Sequence, residues 1–234
     1  MPDVFQGREA FYRTIIQIER QQEADMLRQV DCVITVGDLI ADHMAEQWGI
    51  PRPVVVRNAV VLAPDQPPDV LFERNGWRLL VHSGLLTTGR NLPQMIDMLA
   101  YLPDDVALVL LGNGPLRESL QRRAAMAGVG DRLLIVPPVH WRSVAATLAQ
   151  ADLALVLVES EDRSYHFSLP NKFFGAVGAG LPLVVSAIPE VAHLTRHYDM
   201  GLVCHQPYDP QALAQVVMQA LQPDENQRLR ANAL

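Results

Sequence analysis

Six short apolar runs constrain the fold of this chain more than any other feature: RLLVHS (78–83), VALVLL (106–111), RLLIVP (132–137), LALVLV (153–158), PLVVS (182–186) and GLVCH (201–205). Between them lie longer segments with helical periodicity, beginning near Leu92, Pro115, Trp141, Asn171, Pro189 and Asp209. Strands apolar on both faces and separated by helices form a parallel sheet covered on both sides. Right-handed crossovers then leave a doubly wound, Rossmann-like α/β domain as the simplest topology. In such a sheet a ligand sits outside the carboxyl ends of the strands, so the loops to read are SGLLTTGR, GNGP, PPVHW, ESEDRSYHFSLPNK and SAIPE.

Upstream the pattern differs. Residues 9–30 read as an amphipathic helix with Ile15, Ile18, Met26 and Leu27 among its apolar positions, followed by a strand CVITV (32–36), a helix Asp38–Trp48 and a strand PVVVR (53–57). This partial βαβ unit ends near Asn58, and the proline-rich VVLAPDQPPDV (60–70) suits neither a helix nor a central strand. The expected organisation is therefore an upstream unit over 1–60, a linker over 61–76, the Rossmann-like domain over 77–222, and the start of a closing helix over 223–234.

Bulk properties narrow the function. The 234 residues are about half apolar with a mean hydropathy near zero, enough for a sizeable core. The apolar runs are too short for a membrane span and the N-terminal stretch MPDVFQGREAFYR is charged, which makes a cytoplasmic protein the expectation. Cys32 and Cys204 follow neither metal nor redox spacing and read as small buried thiols of a reduced compartment. A formal charge of −7 argues against sequence-independent nucleic-acid binding, so an anionic ligand must be held by local cations and backbone dipoles.

Those local cations are conspicuous. Among nineteen lysines and arginines there is one lysine, Lys172, in SLPNKFFGAVGAGLPLVVS (168–186). Ser168 offers a capping hydroxyl and Pro170 suits a first helical turn, which puts Asn171 and Lys172 beside free backbone N–H groups and the positive end of a helix dipole. A lysine there is misplaced unless an anion joins it, and the readings are a phosphate or carboxylate site or a solvated surface lysine. The first loop has matching chemistry in Gly84 and Arg90, although Arg90 alone could equally be a surface residue. GNGP (112–115) is a strand-to-helix turn with a glycine pair; it is not a G-x-G-x-x-G fingerprint, and the phosphate-binding G-x-x-x-x-G-K-[ST] is absent. His82 and His140 fall at strand ends facing the expected cleft, while Trp141 and Tyr165 read as packing residues.

This ordered set of loops resembles the donor-binding C-terminal domain of GT-B glycosyltransferases, in particular the retaining family 4 of the glycosyl transferases group 1. The residues that carry the resemblance are SGLLTTGRNL, LLGNGPLRESL, DRLLIVPPVHWRSVAATLAQADLAL and, most of all, SLPNKFFGAVGAGLPLVVSAIPE; together they span about 77–221. DCVITVGDLIADHM and VVVRNAV are similar to the last βαβ unit of that family's N-terminal domain. The resemblance implies that Arg90 and Lys172 are the catalytic cations on the donor pyrophosphate and that Gly84 lines their loop. It places Gly112, Asn113, Gly114, Pro138 and Val139 near the nucleoside, and gives Leu169, Pro170 and Asn171 backbone contacts to the diphosphate or sugar. It implies a UDP- or GDP-linked sugar as donor, no cofactor and no metal, and a glycan or lipid-linked acceptor. It further implies retaining hexosyl transfer in cell-envelope or exopolysaccharide synthesis, with peripheral contact at the inner face of the membrane.

The departures are specific. The family's ribose-binding acid falls at Gly175, and a second acid eight residues earlier falls at Phe167. Leu85 stands where the family often has arginine; Glu159, Glu161 and Asp162 are either substitutes or a solvated acidic turn. Loss of a charged ribose contact costs about 1.5–3 kcal/mol, roughly ten- to a hundred-fold in affinity. With only the end of an acceptor-side domain expected, the chain reads as a fragment of a glycosyltransferase or a short inactive relative, with little transfer by itself. Two other classes stay open: a nucleotide-sugar-binding scaffold and a UDP-GlcNAc 2-epimerase-like enzyme.

Overall fold

The computed structural model describes residues 3–60, 67–72, 74–159, 166–205 and 208–233. The chain divides into two compact units, Met1–Arg57 and Asn58–Leu234. In the first, α1 (Asp3–Leu27) precedes β1 (Ile34–Thr35), α2 (Asp38–Trp48) and β2 (Val54–Val55), and the two strands pair in parallel with Ile34 opposite Val54. Gly49 ends α2 in the left-handed conformation. Arg52 bonds Asp38 and Asp42, and Arg57 bonds the other oxygen of Asp38, tying β2 to the first turn of α2. Here α1 starts earlier than the periodicity predicts and leaves Phe11, Tyr12, Ile16, Ile18 and Met26 exposed.

The second unit holds β3 (Arg78–Ser83), α3 (Leu92–Met98), β4 (Val106–Leu111), α4 (Arg117–Met126), β5 (Leu133–Val136), α5 (Val144–Leu148), β6 (Leu153–Val156), α6 (Asn171–Gly178), β7 (Leu183–Ser186), α7 (Pro189–His197), β8 (Gly201–Cys204), α8 (Pro210–Ala220) and α9 (Pro223–Ala233). Its sheet is wholly parallel, in the order β5-β4-β3-β6-β7-β8. That is the doubly wound α/β order, with the direction of winding reversing between β3 and β6. The first two strands occupy the expected residues. The others are shortened at one or both ends, and Pro137 and Pro182 both fall outside because proline cannot donate to a ladder. The helix expected near Trp141 begins as a 3-10 turn, Trp141–Ser143, and Asp209 caps α8 by accepting from the Ala212 N–H.

Alternation within each strand feeds two cores. Leu80, Leu108, Leu110 and Leu155 meet Leu92, Met95 and Ile96 of α3 and Leu213 and Val217 of α8. Leu79, Val81, Val109 and Val185 meet Leu148 of α5, Phe173 of α6 and Val191 of α7. All six residues of β4 are buried, as a strand covered on both faces requires. Cys204 is buried, and burial pushes its thiol pKa up; Cys32 is exposed, against expectation, because the turn before β1 holds it outside the core. Among the described helices none is long and apolar enough to cross a membrane.

Arg132 pins the outer end of this sheet. Its guanidinium donates to the carbonyls of Leu99 (2.8 Å), Leu102 (3.3 Å), Pro103 (3.0 Å) and Val106 (3.3 Å), joining the end of α3 to the start of β4 and β5. Arg132→Met leaves these carbonyls without their charged donor, and a loss of about 2 kcal/mol is expected. Thermal unfolding should register it as a Tm lowered by roughly 4–8 °C, with Arg132→Lys only partly restoring it because the planar fork is lost.

Candidate functional site

The reversal between β3 and β6 leaves a crevice at the carboxyl end of the sheet, and the loops after β3 and β4 are locked together beside it. The Gly84 N–H donates to Leu111 O (3.0 Å), Leu86 N–H to Asn113 O (2.9 Å), and Leu116 N–H back to Leu86 O (3.1 Å). This close approach explains the glycine pair of GNGP: a Cβ on Gly112 would strike the carbonyl of Gly84, and one on Gly114 the backbone of Leu86. Gly84 itself has φ 134°, a conformation that disfavours a side chain.

Across the crevice α6 presents its N-terminus. Pro170, not Ser168, is the N-cap residue; its extended backbone stops the preceding loop, and its carbonyl accepts from the Phe173 N–H at 2.9 Å. A helix start leaves its first N–H groups without intrahelical acceptors, so those of Asn171 and Lys172 suit an anion. The Asn171 side chain accepts from Asn58 Nδ2 at 2.6 Å, which steadies this turn. Lys172 reaches back across the crevice: its Nζ lies 3.4 Å from Nε2 of His82, and a Cβ on Gly84 would be 3.9 Å from it.

His82 is fully buried in β3, with Nδ1 3.0 Å from the carbonyl of Leu155 on β6. A carbonyl can only accept, so Nδ1 carries the hydrogen and Nε2 presents its lone pair to Lys172. Burial above all, then the charges of Lys172 and Arg90, keep the His82 pKa well below its ordinary value. Burial, followed by the charge of Arg90, lowers that of Lys172 to about 7. Two cationic side chains thus face one space in a chain whose formal charge is −7.

That space is a cleft of about 460 Å³ lined by Gly84, Gly112, Asn113, Pro138, Val139, Asn171, Lys172 and Gly175, together with Ser83, Leu85, Leu111 and Val144. A second lobe, sharing Ser83, Gly84, Leu85, Asn171 and Lys172, is lined also by Arg90, Ser168 and Pro170. Eight of the expected site residues therefore meet in one cleft, with Arg90 and Pro170 in the lobe beside it. Two do not line it: the side chain of Leu169 is buried in the core, which leaves its backbone beside Pro170, and Gly114 is directed at the Leu86 backbone. Ser83 and Leu111 end strands and could have been read from the pattern; Val144 carries no local signal.

Neighbouring structure holds this arrangement. Ser186 Oγ donates to Val158 O and accepts from Val158 N–H, and Tyr208 Oη also donates to Val158 O. Burial is the main cause of a Tyr208 pKa pushed up to about 12. The Glu159 N–H donates to Gly89 O, joining the loop after β6 to the loop after β3. Asp69 accepts from the His140 N–H and the Ser143 hydroxyl, fixing the turn after Val139. His140 thus contributes to that turn through its backbone, while Trp141 is exposed under the Arg142 guanidinium instead of packed. Glu161, Asp162 and Tyr165 lie outside the described residues.

The family model of the glycosyl transferases group 1 matches residues 68–233, which is most of the chain. The chain belongs to this family. It is 30% identical over 159 residues to a D-inositol 3-phosphate glycosyltransferase of Xylanimonas cellulosilytica, covering 66% of this chain and 36% of that one. It is 31% identical over 160 residues to a GDP-mannose-dependent alpha-(1-6)-phosphatidylinositol dimannoside mannosyltransferase of Mycobacterium tuberculosis, covering 65% and 38%. The chain thus spans less than two fifths of the length of these curated relatives. Among solved structures it resembles sucrose-phosphate synthase of Thermosynechococcus elongatus (TM-score 0.72, 19% identity, 90% of this chain and 54% of that one). HepE of Anabaena, solved with UDP and glucose, matches at a TM-score of 0.68 with 16% identity over 88% and 58%. The fold is accordingly the doubly wound half of a GT-B glycosyltransferase.

Gly175 stands where the resemblance implies a ribose-binding acid. A Cβ on Gly175 would make only ordinary contacts, 3.7 Å from Leu148 and Val144, so packing does not require glycine there. Packing does require it at Gly112. Gly112→Ala should displace the first loop, lower stability by about 3 kcal/mol and abolish the shape of the cleft, whereas Gly130→Ala, which meets Ala125 at an ordinary 3.7 Å, should stay within about 0.5 kcal/mol. Thermal melts of the two variants side by side check this.

Proposed function

We propose that this chain is the donor-binding part of a retaining family 4 glycosyltransferase, holding a UDP- or GDP-linked hexose in the cleft between the first loop and α6. The observation that carries the reading is the convergence of Lys172, Arg90 and the α6 N-terminus on the lobes of one cleft at the switch point of the sheet. The diphosphate takes the cationic end, and the nucleoside lies toward Gly112, Asn113, Pro138 and Val139. When the glycosidic bond to the donor breaks, charge builds on the leaving phosphate. Preorganised donors at that point stabilise it in a water-poor site, each contributing typically about 10²–10³ in rate. The acceptor hydroxyl attacks the face from which the phosphate leaves, so the anomeric configuration is retained, and the cations supply the stabilisation without a metal.

The relatives support the substrate class: one is named for GDP-mannose and a phosphatidylinositol dimannoside, another for inositol 3-phosphate. In this reading the acceptor is a glycan or lipid-linked molecule of cell-envelope synthesis, met at the inner face of the membrane, and the relatives' names support its class. Gly175 favours a second reading in parallel, a nucleotide-sugar-binding protein with weak or no turnover, because the cleft contains no carboxylate among its described lining residues.

Calorimetric titration with UDP, GDP and UDP-sugars tests the proposal. Saturable binding is expected for one base, weakened at least ten-fold in Lys172→Met. Absence of binding by the folded chain for every nucleotide sinks the reading. Gly175→Glu separates the two versions: the added carboxylate should strengthen binding by about ten- to a hundred-fold if the ribose lies beside α6, and leave it unchanged or weaker if it does not.

A further inference from the structure

Lys172 is held in an unusual way for a phosphate-binding cation. Its Nζ is directed at the lone pair of a buried neutral imidazole, and among the described residues the charge acting on it is the like charge of Arg90. A carboxylate partner would keep the amine permanently charged; His82 only offers an acceptor. The orientation of His82 is fixed in turn by Leu155 O, a main-chain group of the adjacent strand. The chain Leu155 O, His82, Lys172 therefore runs through the switch point from the sheet interior to the cleft.

We infer that His82 is a positioning residue for Lys172 and that the pair makes binding at this cleft proton-coupled, Lys172 taking up a proton from solvent as a dianionic ligand enters. The inference rests on the proposed donor site only for the identity of that ligand. Among the described residues, the ionisable groups facing Lys172 are His82 from β3 and Arg90 from the loop after it; Glu159, in the loop after β6, acts on the Tyr208 hydroxyl. His82 stays neutral through the neutral range, so the proton goes to the amine. Partial burial, followed by the repulsion of Arg90, lowers the pKa of the amine to about 7. A ligand with two negative charges outweighs both effects and raises that pKa. The sign follows. Affinity is constant below pH 7, where the amine is already charged, and falls towards ten-fold per pH unit above it, until the pKa of the complex is reached.

The single lysine makes the test direct, since ¹³C-lysine labelling gives one ε-carbon resonance for the whole chain. That resonance is titrated in the ligand-free protein and with UDP-glucose, GDP-mannose or sulfate, none of which changes its own charge in this range. The same titrations are run on His82→Phe, which removes the acceptor, and His82→Gln, which can return one. A midpoint near 7 that moves up by at least one unit with ligand, lies lower in His82→Phe and recovers in His82→Gln is the expected result. Loss of packing alone would lower the Tm of both variants without moving the midpoint in this order. A midpoint near the ordinary lysine value in the free protein overturns the inference without any ligand measurement. So does a midpoint that neither substitution moves, or nucleotide binding that leaves the resonance still. A resonance moved by sulfate in a protein that binds no nucleotide leaves the inference standing and removes the proposed donor. Silence with every anion removes both.

Discussion

Parallel strand pairing is the constraint on which the rest of this molecule depends. Six strands running the same way cannot be joined by tight turns, so every connection in the second unit crosses over a face of the sheet. Both faces are then covered, and residues such as Val106–Leu111 are apolar throughout. The same constraint gathers all six carboxyl ends on one edge. Where the winding direction reverses, between β3 and β6, the crossovers diverge and leave room that no side chain of the core fills.

What occupies the rim of that room is determined by electrostatics at short range. The chain is acidic overall, and in the proposed reading its attraction for an anion comes from Lys172, Arg90 and the backbone dipoles of α6. Excluding water from these groups strengthens their pull on a ligand, and the same exclusion makes the unliganded cation expensive to keep charged. A guanidinium could not respond by releasing its proton, whereas an ammonium can. The one lysine in an arginine-rich chain stands at the position where that difference has a consequence.

Much of this was legible in the sequence because its causes are local. The alternation of apolar runs with helical segments located all six strands, and the segment SLPNKFFG, singled out for its lysine, lines the cleft with Asn171 and Lys172. Other features have no local cause. The sequence places His82 at a strand end facing the cleft, yet it is fully buried, and only the approach of Leu155 O and Lys172 from elements about seventy and ninety residues away assigns its tautomer. The expected Ser168 cap fails because the chain stays extended through Pro170, and the burial expected of Cys32 and Trp141 fails because nothing in their own segments reports which face the core takes.

By itself, then, the sequence determined the layer architecture, the strand boundaries to within a residue or two, and the chemistry of the loops, since periodicity and residue type act over a few positions. The tertiary structure decided which of those loops interlock, that Gly112 and Gly114 serve backbone approach, and that Lys172 meets a neutral histidine. Those outcomes depend on packing between distant elements, where a difference of an ångström decides between contact and clash, and no short stretch of sequence encodes a distance.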